Sequence, residues 1–118
     1  MAATDLASQQ CVTCTGTTPL LTSDRIKELL TQIRGWQLTP DGKRLTRSWR
    51  VFDFLNALDF FGRIAEVAEA NDHHPDLHLT NYRDVVVEIS THVAGGLTEN
   101  DFILAAKIDR LEPPKPKG

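Results

Sequence analysis

The sequence predicts an α+β domain in which a four-stranded antiparallel sheet carries three helices on one face, in the order α-β-β-α-β-β-α. Three segments space their apolar residues three and four apart, as one face of a helix does. Two pairs of segments alternate apolar with polar residues, as half-buried strands do. Since each pair has a short connection and a helix separates the pairs, two hairpins in one sheet are the simplest arrangement.

Length and composition restrict the class of protein. The chain has 118 residues, of which 41% are hydrophobic and 25% charged, as expected for a single globular domain. Its net charge of -3 argues against sequence-independent binding of nucleic acid, which needs a basic surface. No apolar run approaches the roughly 20 residues of a membrane span. The opening MAATDLASQQ lacks the basic and apolar regions of a secretory signal, so we expect a cytoplasmic protein.

Composition along the chain predicts three parts. Residues 1–21 are rich in Thr, Ser, Gln and Ala and show little apolar periodicity, so we expect a flexible arm that includes a Cys-x-x-Cys pair. Residues 22–111 hold all the periodic segments and form the folded domain. Residues 112–118 contain three prolines and two lysines and are predicted to be a disordered tail.

The first helix and the first hairpin follow from local signals. A helix is predicted to begin at Thr22 or Ser23 and to end at Gly35, a typical C-terminal stop. A strand over 36–38, a Pro-Asp-Gly turn and a second strand over 44–51 then form a hairpin. The inward positions of the helix are Ile26, Leu29, Leu30 and Ile33.

The longest helix is predicted from Phe52 to Ala70, and Pro75 ends the helical region because proline restricts the residue before it. Two alternating strands follow, at 77–82 and 85–92. A last helix is capped by Thr98, with Asp101 in the position of a capping box. The stripe expected to face the core in the longest helix is Phe54, Leu58, Phe61, Ala65 and Ala68.

The two cysteines, Cys11 and Cys14, are the first candidate site. Their spacing suits half of a zinc site or a redox pair, but no further cysteine is present to complete a zinc site. An exposed pair in a flexible segment is the simpler interpretation. Two free thiols fit a reducing compartment.

The histidines are the second candidate site. His73 and His74 end the longest helix, and His92 ends a neighbouring strand, so the three imidazoles could converge on one small ligand. Imidazole both takes and gives a proton near neutral pH, which suits general acid–base catalysis better than metal binding. Helix capping and a satisfied hydrogen bond are the structural alternatives. His78 lies within an alternating strand, and we expect it to stand outside the chemistry.

A spaced set of residues resembles the signature of the pterin-4a-carbinolamine dehydratase family. Gly35-Trp36 resembles the first-strand tryptophan of that family, and Ser90-Thr91-His92 resembles its third-histidine segment. The similarity runs from about Leu20 to Leu111, and the family fold of three helices on a four-stranded antiparallel sheet agrees with the elements above. The signature comprises Glu69, His73, His74, Pro75, Tyr82, His92 and Asp101.

The resemblance implies an enzyme that removes water from 4a-hydroxytetrahydrobiopterin to give the quinonoid dihydropterin, in pterin recycling. It implies no metal and no other cofactor. By the same resemblance, His73 and His92 transfer protons and His74 holds the pterin, although which imidazole is the acid stays open. The resemblance also implies a homodimer or homotetramer, for which unpaired sheet edges give a physical reason. The residues implied in substrate binding are Trp36, Glu69, Ser90 and Thr91.

Three departures from the typical family pattern favour an alternative function. They are the cysteine arm, the stretch from Asp76 to Tyr82, and Val93, where well-known dehydratases carry an acidic residue. Some similar proteins are catalytically inactive assembly factors that bind RuBisCO subunits in carbon-fixing bacteria and plastids. That alternative predicts a filled cleft, whereas the enzyme predicts an open cleft that the three histidines face. Some animal members bind a homeodomain transcription factor, and no residue here indicates that role.

Overall fold

The computed structural model describes residues 6–111, so the predicted tail at 112–118 and the first five residues of the arm lie outside the described part. The predicted order of elements is confirmed. Short 3-10 turns at Leu6–Ser8 and His92–Ala94 add to it. Among the described residues, no helix is long and apolar enough to cross a membrane. The elements are α1 (Ser23–Leu30), β1 (Gln37–Leu38), β2 (Leu45–Arg50), α2 (Phe54–Asn71), β3 (Asp76–Thr80), β4 (Asp84–Ile89) and α3 (Glu99–Asp109).

The sheet is antiparallel throughout, with the strand order β1-β2-β4-β3. The two central strands pair along their whole length, so that Leu45 lies opposite Ile89. The predicted alternation of the fourth strand is confirmed, because Val85, Val87 and Ile89 are all buried in the core that the helices share. This rigid central strand carries the chain directly to Thr91 and His92.

The expected inward stripe of α2 is correct at Ala68 and Phe61 and wrong at its N-terminal end. Phe54 and Leu58 are about half exposed, while Phe60 and Ile64 are buried against the sheet and α3. The helix carries apolar residues on two adjacent stripes, which both include Ala68, and the buried one also contains Ala57. Periodicity identified the helix, but it did not distinguish which of two apolar faces packs inward.

The first helix starts as predicted and ends earlier. The Thr22 side chain accepts a hydrogen bond from the Arg25 N–H, which caps the first turn. The helix ends at Leu30 rather than near Gly35, because the next N–H groups bond three residues back instead of four. Gly35 occupies the left-handed region at φ 75° in the turn that follows.

The described part of the arm is packed rather than loosely ordered. Leu6 and Ala7 are buried against α3, and Lys107 Nζ donates to the Ala7 carbonyl at 2.8 Å. Further along, Leu21 N–H donates to the Leu97 carbonyl at 3.0 Å. Two apolar side chains and several hydrogen bonds thus attach this segment to the domain.

Candidate active site

The C-terminal end of α2 positions the first two histidines. Asp72 takes the left-handed conformation at φ 48°, and its N–H bonds to carbonyls of the last helical turn. Aspartate tolerates this conformation better than most residues, so it ends the helix and turns the chain sharply. His73 and His74 follow at once, and Pro75 keeps the helix from continuing.

The third histidine lies just beyond the end of β4. Thr91 pairs with Gly96 in an isolated bridge, which closes a small loop around the 3-10 turn at His92–Ala94. Gly95 caps this turn at φ 81°, a backbone conformation that favours glycine. The loop holds His92 at the surface, and within residues 6–111 its imidazole has no hydrogen-bond partner.

Asp101 joins the histidines to α3. Its side chain is fully buried, and one carboxylate oxygen lies 2.7 Å from His73 Nε2. The other oxygen accepts hydrogen bonds from the Thr91 hydroxyl and the Thr98 N–H, each at 2.8 Å. A carboxylate oxygen only accepts hydrogen bonds. His73 therefore donates through Nε2, which leaves Nδ1 as the nitrogen that accepts a proton.

These elements surround one cavity of about 300 Å³. The three signature histidines line it together with Ser90 and Thr91. The structure thus brings together five of the seven residues that the sequence assigned to catalysis or binding. Six residues that the sequence did not assign complete the lining: Val12, Thr13, Cys14, Asp72, Val93 and Asn100.

Trp36 lies in the core instead of the cavity lining. It is buried, its ring packs edge-on against Trp49 at 6.1 Å, and its Nε1 donates to Asp109 Oδ1 at 2.8 Å. The tryptophan therefore does not lie beside a ligand in this cavity, because the aromatic core and the Asp109 carboxylate use both its ring and its polar atom.

Two other signature residues also lie outside the lining. Glu69 is exposed and bonds His74 Nε2 at 3.1 Å, so it contacts the site only through that histidine. Tyr82 is half exposed in the β3–β4 turn, with the Arg83 guanidinium 5.2 Å from its ring. His78 pairs with Glu88 on β3 at 3.3 Å, outside the cavity as expected.

The cysteines are both free and half-buried. Burial raises the pKa of the Cys11 thiol to about 11, and Cys11 Sγ lies 3.7 Å from the Asn100 carbonyl. The pair is therefore not an exposed one in a flexible segment. Across residues 6–111, no group of three or more His, Cys, Asp or Glu side chains is arranged to hold a metal ion.

Sequence reasoning assigned neither Asn100 nor the arm to the site, and it favoured a cap alone for Asp101. A sequence signal existed for Asp101, which belongs to the signature and also occupies the capping-box position that the structure confirms. Asp72 also had a sequence signal, because it stands directly before the histidine pair. The arm residues have no such signal, because the cavity that they line joins positions about 90 residues apart.

Comparison with known proteins assigns the family. Residues 19–111 match the family model of pterin 4 alpha carbinolamine dehydratase. The chain belongs to the pterin-4a-carbinolamine dehydratase family. Members of this family are hydro-lyases, and the match covers every element from α1 to α3.

Curated relatives of this family agree along most of the chain. The mitochondrial pterin-4-alpha-carbinolamine dehydratase 2 of Arabidopsis thaliana is 49% identical over 111 residues, which are 92% of this chain and 59% of that protein. The chain thus spans less than two thirds of the plant relative. A Halorhodospira halophila protein, provisionally given the same dehydratase name, is 42% identical over 90% of this chain and 96% of its own length.

Two solved structures are similar to this chain in fold. The crystal structure of a transcriptional coactivator/pterin dehydratase from Brucella melitensis has a TM-score of 0.70 and 36% identity, over 76% of this chain and 95% of that one. A pterin dehydratase-like protein described as a RuBisCO assembly factor in the alpha-carboxysome has a TM-score of 0.53. Its 17% identity, over 64% of this chain and 87% of that one, shows a shared fold alone.

Proposed function

We propose that the protein dehydrates 4a-hydroxytetrahydrobiopterin to quinonoid dihydropterin by histidine acid–base catalysis. The observation that carries the proposal is the single cavity lined by His73, His74 and His92, in which Asp101 holds His73 through Nε2. Family membership supports the same substrate class. A cavity of about 300 Å³ is at the small end of ligand pockets, which suits a bicyclic ring.

His73 acts as the general base in this proposal. Its Nε2–H donates to the fully buried Asp101 carboxylate. The ring is therefore fixed in the tautomer whose Nδ1 lone pair accepts a proton. That proton comes from the ring nitrogen of the pterin. The electron pair it leaves forms the new double bond to C4a as the C4a–O bond breaks.

His92 acts as the general acid. Its imidazole is exposed at the cavity and is free of partners among residues 6–111, so it can exchange protons with solvent and donate one to the departing 4a-hydroxyl. The hydroxyl then leaves as water. One proton is taken and one is given, so the reaction balances as a dehydration without any oxidant or reductant.

The remaining assigned residues bind or position. His74 is half exposed at the cavity and is steadied by Glu69, which suits a residue that holds the pterin. The Thr91 hydroxyl donates to Asp101 and so supports His73, which leaves Ser90 as the hydroxyl that contacts the substrate.

Histidine variants test the mechanism, because the chain supplies its own control. His73→Ala and His92→Ala are expected to lower kcat about 100-fold or more, as loss of a general acid or base does. His74→Ala is expected to raise KM more than it lowers kcat. His78→Ala removes a histidine on β3 that lies outside the cavity, and it should match the wild type.

The measurement is the loss of 4a-hydroxytetrahydrobiopterin, generated in place by an aromatic amino acid hydroxylase, against the uncatalysed rate in buffer at neutral pH. Wild-type protein that gives no acceleration contradicts the proposed function. An equal effect of His78→Ala and His73→Ala contradicts the assignment of the cavity as the site.

The assembly-factor alternative is less well supported. It predicts a filled cleft, and the histidine cavity is open with a volume of about 300 Å³. The RuBisCO assembly factor similar in fold shares only 17% identity with this chain. Co-expression with RuBisCO subunits tests the alternative directly, since an increased yield of assembled enzyme would support it.

The oligomeric state and the compartment are part of the same proposal. We propose a homodimer or homotetramer, because a cluster of apolar side chains on α2 is left exposed. We also keep the cytoplasm as the proposed compartment, where the free thiols stay reduced. Because one plant relative is mitochondrial, fractionation of the native organism is the appropriate check.

A further inference from the structure

The arm reaches the histidine cavity although it lies almost wholly outside the part of the chain that matches the family. The family match begins at residue 19. Nevertheless Val12, Thr13 and Cys14 line the cavity together with the three signature histidines. A second, larger cavity of about 500 Å³ shares Val12, Cys14 and Asn100, so this part of the arm separates the two cavities.

Asn100 attaches the arm at this point with both ends of its amide. Its Oδ1 accepts from the Val12 N–H at 2.9 Å, and its Nδ2 donates to the Val12 carbonyl at 2.6 Å. The same Nδ2 lies 3.2 Å from Cys14 Sγ. Asn100 is 3% exposed, so its amide is held in place within the domain, and the two bonds position the backbone of the exposed Val12.

Contacts on either side of Val12 keep the segment against the site. Cys11 Sγ lies 3.7 Å from the backbone carbonyl of Asn100. Gly16 passes close to the loop that carries His92, since a side chain added there would meet the Val93 carbonyl at 3.6 Å. The arm therefore runs from the first turn of α3, along the cavity at Val12–Cys14, to the third-histidine loop.

We propose that Val12–Cys14 form a substrate-contacting wall of the histidine cavity and that Asn100 is the positioning residue that sets this wall. The inference rests on the proposed function for the identity of the ligand, a pterin. The histidines act at the reacting C4a position, while the wall limits how the ring sits against them. It contributes to substrate binding and leaves the proton-transfer groups unchanged, because Asp101 rather than Asn100 holds His73.

A bulky side chain in the wall gives the first test. Thr13→Trp places an indole at an exposed position in the cavity lining, so the fold should persist while KM rises about tenfold or more. Thr17→Trp makes the same change on the same arm, at an exposed residue that lines neither cavity, and should leave both constants at the wild-type values. Equal constants for the two variants overturn the proposal.

Removal of the Asn100 side-chain amide gives the second test. Asn100→Ala should raise KM about tenfold, while kcat and its pH profile stay within about twofold of the wild type. Asn100→Ala that lowers kcat and leaves KM unchanged contradicts a role in positioning the wall. Should this variant fail to fold, the Thr13→Trp comparison still decides the question.

Alkylation of Cys14 tests the wall without turnover. In a Cys11→Ser background, the rate at which N-ethylmaleimide modifies Cys14 is measured with and without a stable dihydropterin. We expect the pterin to slow modification at least about fivefold, because the ligand and the thiol share one cavity. An unchanged rate at a pterin concentration that saturates binding overturns the proposal.

The two proposals fail separately. Wild-type protein without dehydratase activity, in which pterin still protects Cys14, overturns the proposed function and retains the wall. Wild-type protein with full activity, in which pterin gives no protection and Thr13→Trp has no effect, overturns the wall and retains the function. A protein that neither turns over nor binds a pterin overturns both.

Discussion

At the scale of single residues, Asp101 combines a structural role with a role in the histidine cavity. The same carboxylate caps α3 through the Thr98 N–H and holds His73 through Nε2. A residue that a helix needs for its first turn is thereby placed beside the imidazole that we propose as the general base. This double use explains why an aspartate in a capping position can also belong to a family signature.

Asp101→Asn separates the two roles. The asparagine keeps the size of the side chain and an oxygen for the Thr98 N–H, but its amide nitrogen can face His73 only as a donor. That donor requires Nε2 to accept, so the proton moves to Nδ1 and His73 loses its function as a base. We expect kcat to fall about 100-fold, measured in the dehydratase assay.

Glu69→Gln is the matched control for Asp101→Asn, because it alters an exposed carboxylate that contacts His74. Its kcat should stay within a few-fold of the wild type. A folded Asp101→Asn protein with wild-type kcat would show that His73 does not depend on Asp101. Circular dichroism establishes that both variants are folded before their rates are compared.

At the scale of elements, the end of α3 is attached to the first hairpin through Asp109. This carboxylate accepts from Trp36 Nε1 at 2.8 Å and from Arg47 Nη1 at 2.6 Å, and it also accepts from the Arg34 N–H at 2.8 Å. Its side chain is only 10% exposed. One buried acceptor thus connects the turn after α1, the start of β1 and the strand β2 to the last helix.

Asp109→Ala should destabilise the fold by about 3 kcal/mol, because it leaves the Trp36 indole N–H and the Arg47 guanidinium without their acceptor in a nearly buried position. The free energy of unfolding in urea measures the loss. Asp84→Ala removes the partner of an exposed arginine, Arg50, and should cause a much smaller change. Equal losses in the two variants would contradict a structural role for this cluster.

At the scale of the whole molecule, one apolar surface is left without a partner among the described residues. It lies at the start of α2 and includes Phe52, Phe54, Leu55 and Leu58, of which Leu55 is 75% exposed. An exposed group of four large apolar side chains is costly in water, which favours covering it in a second copy of the chain.

Charged substitutions on this surface test the assembly. Wild-type protein is expected to sediment as a multiple of 13.2 kDa, and the double variant Leu55→Glu with Leu58→Glu as a single chain. Leu20→Glu alters an exposed leucine in the arm instead and should keep the wild-type mass. A wild-type monomer in sedimentation equilibrium at micromolar concentration would contradict the proposed oligomer.

Much of the fold was determined locally, and so it was predictable from the sequence. The caps at Thr22 and Thr98, the proline after the histidine pair and the alternation of β4 each involve residues close together in the chain. The three histidines were predictable as a group because their spacing matches a family signature. Helix ends were less certain, as the early end of α1 shows, because the i–3 bonds that replace the last turn leave no sequence pattern.

Tertiary packing alone decided the remainder. Local patterns and the family signature were enough to predict the α-β-β-α-β-β-α order, the three signature histidines and the capping role of Asp101. Contacts between distant segments place Trp36 in the core, turn Phe60 and Ile64 of α2 inward, and bring the arm to the cavity lining. Each of these depends on contacts between residues distant in the chain, such as Val12 with Asn100. Local sequence patterns do not distinguish between such partners, because the pairing is determined by burial and hydrogen bonding in the folded domain.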